Sequence, residues 1–251
     1  MSHSSSVPRS ARDIGEQWRV LTEIHGSGRF APACLDEMPA AARRWLTHAV
    51  AANTPLARSA RLTMSGQIRI GSWRPFTADQ ILVPATGFIW AATAKVGPLA
   101  ISGYDALTSE GGRMRWRLGG IVPVMSARGR EIGDSAAGRL AGESVFVPTA
   151  FPLARWSGED DVATATWTVA GREDRVHLDL ATDGTLRRVR MHRWGAPAGH
   201  DAARYPFTVN VEAERTFDGL TIASRIRAAW DTGDASDGEF FRAEITGAHF
   251  S

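Results

Sequence analysis

Arg61-Leu62-Thr63-Met64-Ser65-Gly66-Gln67-Ile68-Arg69-Ile70 is the stretch that decides the fold. Leu62, Met64, Ile68 and Ile70 alternate with Arg61, Thr63, Ser65, Gln67 and Arg69, which is the period of a strand with one apolar and one wet face. The same period returns downstream. Met114, Trp116 and Leu118 alternate with Arg113, Arg115 and Arg117, and Val176, Leu178 and Leu180 alternate with Arg175, His177 and Asp179. Phe207, Val209, Val211 and Ala213 form another such face, and Ile222, Ile226, Ala228 and Trp230 a further one. This alternation predicts antiparallel pairing, with Leu62, Met64, Ile68, Ile70, Met114, Trp116 and Leu118 inward and Arg113, Arg115 and Arg117 in water. Asp183-Gly184, Asp218-Gly219 and Asp237-Gly238 sit between runs where tight hairpins require positive φ, so sequential strands should pair.

Working outward, the 14 uncharged residues Ile81 to Ala94 are broken by Pro84 and Gly87. A spanning helix needs about 20 apolar residues, so this segment reads as buried strand. With about nine strands and no alternation of strand and helix, the sheet should be strongly curved or partly closed into a barrel. Helical spacing is confined to two regions. Between residues 11 and 53, Ile14, Trp18 and Leu21 share one stripe and Ala41, Trp45, Leu46 and Val50 another, with Arg43 and Arg44 in solvent and Pro55 as the stop. Residues 134–147 carry the second region, with Asp134 or Ser135 as cap, Ala137, Leu140 and Ala141 on one side with Ser144, and Pro148 at the end. The expected class is mainly β (α+β), with N-terminal helices and one inserted helix over an apolar cavity. The expected organisation is a disordered tail over 1–10 and a single domain over 11–251.

Composition excludes several functions. A chain of 251 residues, 43% hydrophobic and 22% charged, is neither disordered nor fibrous. Its 29 basic and 27 acidic residues leave a net charge of +2, no footprint for a polyanion, and nucleic acid is not expected as a partner. Lys95 is the single lysine, so almost nothing titrates between histidine and guanidinium and the isoelectric point of 9.2 reflects a flat curve. One cysteine, Cys34, excludes an intrachain disulfide, and neither a Cys/His zinc pattern nor HExxH is present, so no metal is expected. GxGxxG, GxxxxGK[ST] and GxSxG are missing as well, and no cofactor is expected. The Ser-rich start lacks the apolar core of a signal peptide, which points to a cytoplasmic protein without membrane insertion.

Trp73-Arg74-Pro75-Phe76-Thr77-Ala78-Asp79-Gln80, Gly87-Phe88-Ile89-Trp90, Arg139-Leu140-Ala141-Gly142-Glu143 with Pro148-Thr149-Ala150, Arg193-Trp194 and Phe217-Asp218-Gly219-Leu220 spread over most of the chain. Together they resemble a bacterial family of domains of unknown function. The architecture this resemblance implies looks like the half-barrel of the LolA and LppX type, a curved antiparallel sheet around an apolar cavity. It implies no assigned activity. The chain differs from lipoprotein carriers of that type in showing no signal peptide and no lipid-anchor cysteine near its start.

Arg139 and Glu143 lie four apart on the inserted helix, beside Leu140 and Val147. They form either an ordinary ion pair or an acid whose pKa an apolar wall raises, with the arginine orienting a substrate. Tyr104 and Asp105 follow Ser102-Gly103 and read as a phenolic donor and a general base at the rim of the sheet, or as a turn. Arginines 187, 188, 190 and 193 read as a solvated face, although lining a concavity they would bind a carboxylate or phosphate. Six of the nine tryptophans, Trp73, Trp90, Trp116, Trp167, Trp194 and Trp230, lie on or beside strands, as core or as a pocket wall. The sequence therefore favours a cytoplasmic protein that binds a small hydrophobic molecule, with Arg139, Trp73, Trp90, Trp116, Trp194 and Trp230 as binding residues. The alternative is a cofactor-free enzyme of isomerisation, cyclisation or hydrolysis, with Glu143, Asp105 and Tyr104 as proton carriers. A structural or interaction module comes third.

Overall fold

The computed structural model describes residues 6–233 and 238–251. After a 3-10 turn over Arg9–Ile14 come α1 (Gly15–Thr22) and α2 (Ala40–Ala49). The first meander follows: β1 (Ala60–Ile70), β2 (Ser72–Val83), β3 (Gly87–Val96), β4 (Leu99–Thr108), β5 (Gly111–Leu118) and β6 (Val122–Arg128). Helix α3 (Arg130–Glu143) and two 3-10 turns, Ser144–Phe146 and Pro148–Leu153, lead to the second. That meander comprises β7 (Arg155–Glu159), β8 (Val162–Val169), β9 (Arg172–Leu180), β10 (Leu186–Gly195), β11 (Ala203–Phe217), β12 (Leu220–Trp230) and β13 (Glu239–Phe250).

All thirteen strands form one antiparallel, open sheet in the order β6-β5-β4-β3-β2-β1-β13-β12-β11-β10-β9-β8-β7. The first meander runs from β1 out to the β6 edge. Helix α3 carries the chain across to the β7 edge, and the second meander returns until β13 pairs with β1. Because α3 touches β4, β5 and β6 on one wing and β8, β9 and β10 on the other, the sheet curls around it, and its concave face is where a cavity can form. Bulges at Thr63/Met64 in β1 and at Val211/Ala213 and Ala213/Glu214 in β11 bend the strands at the middle of that curl.

The alternating runs are the strands they predict. Asp218 and Gly219 both have positive φ, 48° and 86°, and close the β11–β12 hairpin. The count of strands is larger than nine, because the buried run around residue 81 comprises the end of β2, a turn and β3, and short strands such as β7 have little period to read. The expected Asp237-Gly238 turn includes Asp237, which lies outside the described residues. Helix α3 starts four residues before the expected 134, after Gly129, whose φ is 112°. Asp134 is inside the helix and pairs with Arg172, so neither it nor Ser135 caps.

Apolar side chains cover both faces of the sheet. On the concave face, Trp45 and Leu46 of α2 and Ala137, Leu140 and Ala141 of α3 join Leu62, Leu82, Phe88, Leu178 and Ile222. On the convex face, Ile14, Trp18 and Leu21 meet Ile81, Val83, Ile89, Ala91 and Tyr104. Burial on both sides explains why 81–94 reads as continuous apolar sequence rather than as an alternation. The convex cover also corrects the placement of two arginines. Arg113 and Arg115 point away from the cavity as expected, but Asp13 of the N-terminal 3-10 turn pairs with both, so they anchor that segment rather than face open water.

Candidate functional site

Between α3 and the concave face lies a cavity of about 210 Å³. Its apolar wall is built by Phe146 after the helix, Val189 and Met191 of β10, Phe207, Val209 and Val211 of β11, Ile226, Ala228 and Trp230 of β12, and Phe240 and Phe241 of β13. The contributions of β10, β11 and β12 are alternate residues, the inward parity of those strands, whereas Phe240 and Phe241 are consecutive at the start of β13. A second apolar hollow of about 370 Å³ adjoins it on the β1–β6 wing, sharing Ile68, Trp90 and Asp105 and adding Ile70, Phe76, Met114, Trp116, Val124 and Met125.

Four polar side chains and the indole of Trp116 meet at the junction of the two hollows. Arg139 donates from Nε to Glu143 Oε1 at 2.7 Å and from a terminal nitrogen to Asp105 Oδ2 at 3.2 Å. The indole of Trp116 donates to Asp105 Oδ1 at 2.9 Å, and the amide of Gln80 donates to Glu143 Oε2 at 2.6 Å. Strand register makes this possible, since Gln80, Trp90, Asp105 and Met114 lie side by side across β2, β3, β4 and β5 and so share the concave face. The Arg139 guanidinium sits 4.9 Å from the Phe88 ring and 5.0 Å from the Trp90 ring, a desolvated cation held by π-faces and two carboxylates. Burial raises the pKa of Asp105, and the Arg139 charge and the Trp116 bond oppose that shift.

Arg193, half-buried, is the second cation of the cavity. Its guanidinium lies 5.1 Å from the Phe207 ring and 5.3 Å from the Trp230 ring, on the cavity wall. Burial, and the like charge of Arg139, lower its pKa to about 10, which leaves it protonated at neutral pH. Among the described residues its donors reach only the Ser135 carbonyl, at 3.4 Å. A guanidinium carries five N–H donors, so most of this hydrogen-bonding capacity points at nothing in the protein.

The structure therefore brings together Asp105, Arg139, Glu143, Trp90, Trp116 and Trp230, and places three of the expected residues elsewhere. Tyr104 neighbours Asp105 in β4, so its side chain must leave by the opposite face. It is buried on the convex side and donates to Asp13 Oδ2 at 3.1 Å, with its pKa pushed up to about 12 by burial and by that carboxylate. Trp194 follows the inward Arg193 and alternates away from the cavity for the same reason. Trp73, near the tip of β2, stacks under the Arg242 guanidinium at 4.3 Å and lines neither hollow. Gln80 carries no site reading in the sequence analysis, and Arg193 is the one of the arginines 187, 188, 190 and 193 that lines the concavity. Both had a signal in their parity: Gln80 falls between the inward Ala78 and Leu82, and Arg193 continues the inward series Val189 and Met191. Among the described residues no group of three or more His, Cys, Asp or Glu side chains is placed to hold a metal ion.

The model of the family described as a family of unknown function (DUF6544) matches residues 28–243. The chain belongs to DUF6544. The matched span contains the whole polar junction, Arg193 and the cavity wall of this DUF6544 protein. No curated protein sequence matches it. Among solved structures it is similar to a domain described as an outer membrane lipoprotein-sorting protein from Vibrio parahaemolyticus, at 10% identity and a TM-score of 0.44 over 77% of this chain and 85% of that one. A LolA superfamily protein from Nitrosomonas europaea shows 11% identity and a TM-score of 0.38 over 78% of this chain and 86% of that one. A DUF1329 family protein from Desulfovibrio piger shows 9% identity and a TM-score of 0.35 over 78% and 86%. At these values the likeness says nothing about what the DUF6544 cavity holds.

Proposed function

We propose that this protein binds a small amphipathic molecule, with its apolar body against Phe207, Val209, Ile226 and Trp230 and an anionic group on Arg193. The observation that carries the reading is the Arg193 guanidinium, charged at neutral pH and short of acceptors, on the wall of a largely apolar cavity whose other charged lining, Asp105, Arg139 and Glu143, is paired within itself. A desolvated cation without its full set of acceptors is costly, and a carboxylate or phosphate that completes the set gains from the same low dielectric.

An acid/base enzyme is the second reading, favoured by one observation: Asp105, whose pKa burial raises, lies beside Glu143 on the cavity wall. The hydrogen bonds weigh against it. All four carboxylate oxygens of Asp105 and Glu143 accept from an arginine, an indole or an amide, and none of these donors exchanges a proton with a substrate at neutral pH. The arrangement holds Arg139 and the helix in place and leaves recognition to Arg193.

Native mass spectrometry of protein purified from its own cells tests the proposal. The expected result is a small adduct on the wild type that is lost in Val209→Trp, an indole placed in the cavity, at an unchanged melting temperature. Bare protein, or an adduct equally abundant on Val209→Trp, overturns it.

A further inference from the structure

In the first meander the turns β1–β2, β3–β4 and β5–β6 all lie at one end of the sheet, because successive antiparallel strands reverse there. Six of the seven exposed large apolar side chains among the described residues lie on those three tips or within four residues of them. They are Ile70, Leu99, Ile121, Val122, Val124 and Met125, with exposures from 38% for Ile70 to 82% for Ile121. Scattered apolar residues on a surface need no explanation, whereas six gathered at one end do.

At these three tips charge has one sign, while Asp231 after β12 and Glu239 at the start of β13 lie at the same end of the sheet, beside β1. Arg69, Arg74, Lys95 and Arg117 flank the tips, and residues 66–78, 93–104 and 115–130 contain no Asp or Glu. The chain as a whole is nearly balanced at +2, so this bias is local. Apolar side chains ringed by cations match the boundary of an anionic bilayer, where hydrocarbon lies just below a layer of phosphates. The tips are also continuous with the interior: Ile70, Val124 and Met125 are part of the lining of the hollow that adjoins the cavity.

We propose that the tips β1–β2, β3–β4 and β5–β6 dock this protein on an anionic lipid surface, with Ile121 and Val122 entering the acyl boundary and Lys95 and Arg117 meeting phosphates. Docking of this kind spans nothing and agrees with the finding that no helix among the described residues is long and apolar enough to cross a membrane. It goes beyond the ligand reading and stands without it.

Flotation with phosphatidylcholine vesicles, with and without phosphatidylglycerol, tests the proposal. Wild-type protein should partition at least about tenfold more strongly onto the anionic vesicles, and added salt should weaken that binding. Ile121→Glu, at a site that touches no core, should lower it about tenfold or more at an unchanged melting temperature. Each of Lys95→Glu and Arg117→Glu should lower it by at least about fivefold. Val20→Glu, which alters the remaining exposed apolar residue, on α1, should leave binding at the wild-type level, as should the cavity-filling Val209→Trp. No binding to anionic vesicles, or binding that Ile121→Glu leaves unchanged, overturns the proposal. A dimer in sedimentation that Ile121→Glu dissociates, with no vesicle binding, assigns the surface to a second copy of the chain and overturns it equally.

Discussion

Gln80 on β2 donates its side-chain amide to Glu143 Oε2 on α3 at 2.6 Å, a bond that fastens the helix crossing the concave face to the strand beneath it. Glu143 also receives Arg139, so its carboxylate serves two donors. The Glu143→Gln side chain offers one acceptor oxygen, and either Gln80 or Arg139 then faces an amide NH2. That variant should lose about 2 kcal/mol of stability, the usual scale for a hydrogen bond to a charged group. Urea melts check this, and ligand should be lost only in proportion to unfolded protein. Full stability with lost turnover would instead mark Glu143 as catalytic.

Asp105 gives a pH signature. Burial raises its folded pKa above 3.8, so between pH 3.8 and the folded value the native state holds a proton that the unfolded state has released. Stability contributed by this group therefore falls as pH rises through that window and is level above it. The wild-type profile minus that of Asp105→Asn should show this fall. Trp116→Phe, which removes a donor that favours the charged form, should extend it to higher pH. Denaturant melts at a series of pH values give both curves, and a difference profile that rises with pH contradicts the assignment.

The parts of this molecule that follow from local alternation were legible in the sequence, and those set by distant docking were not. Leu62, Met64, Phe207 and Val209 announce an inward face by period alone. Arg193 obeys the same parity, but its residue type suggested solvent, and nothing local shows that α3 and β10 enclose it. Tyr104 and Asp105 read as a pair because they are adjacent, yet adjacency in a strand separates side chains onto opposite faces. The contacts of Asp13 with Arg113 and Arg115 bring together residues about a hundred positions apart and have no periodic signature.

At Gly112 on β5 the backbone of the sheet comes close to that of α3. A Cβ there would lie 2.4 Å from the backbone nitrogen of Gly133, so Gly112→Ala must push the start of the helix away. A loss of about 1 to 3 kcal/mol is expected, as for overpacking elsewhere. Amide exchange should quicken over α3 before it does over β9 and β10. Unchanged stability would mean that the helix is free to shift and does not roof the cavity tightly.

Tyr104→Phe separates the convex face from the site. It removes the bond to Asp13, for a loss of about 1 kcal/mol, and should speed exchange over residues 9–14. Ligand affinity should not change, since Tyr104 lies behind the sheet; a measured change in affinity would return Tyr104 to the site.

In the proposed function Arg193 recognises an anionic group from within a largely apolar cavity. Binding of a fatty acid and of the alcohol of equal chain length, to wild type and to Arg193→Met, tests it most directly. The acid should bind wild type about tenfold or more tightly than the alcohol, as a charge-assisted hydrogen bond at a buried site implies. Arg193→Met should remove that preference while keeping affinity for the alcohol. Equal affinity of wild type for the two compounds, or a preference for the acid that survives Arg193→Met, would contradict the account.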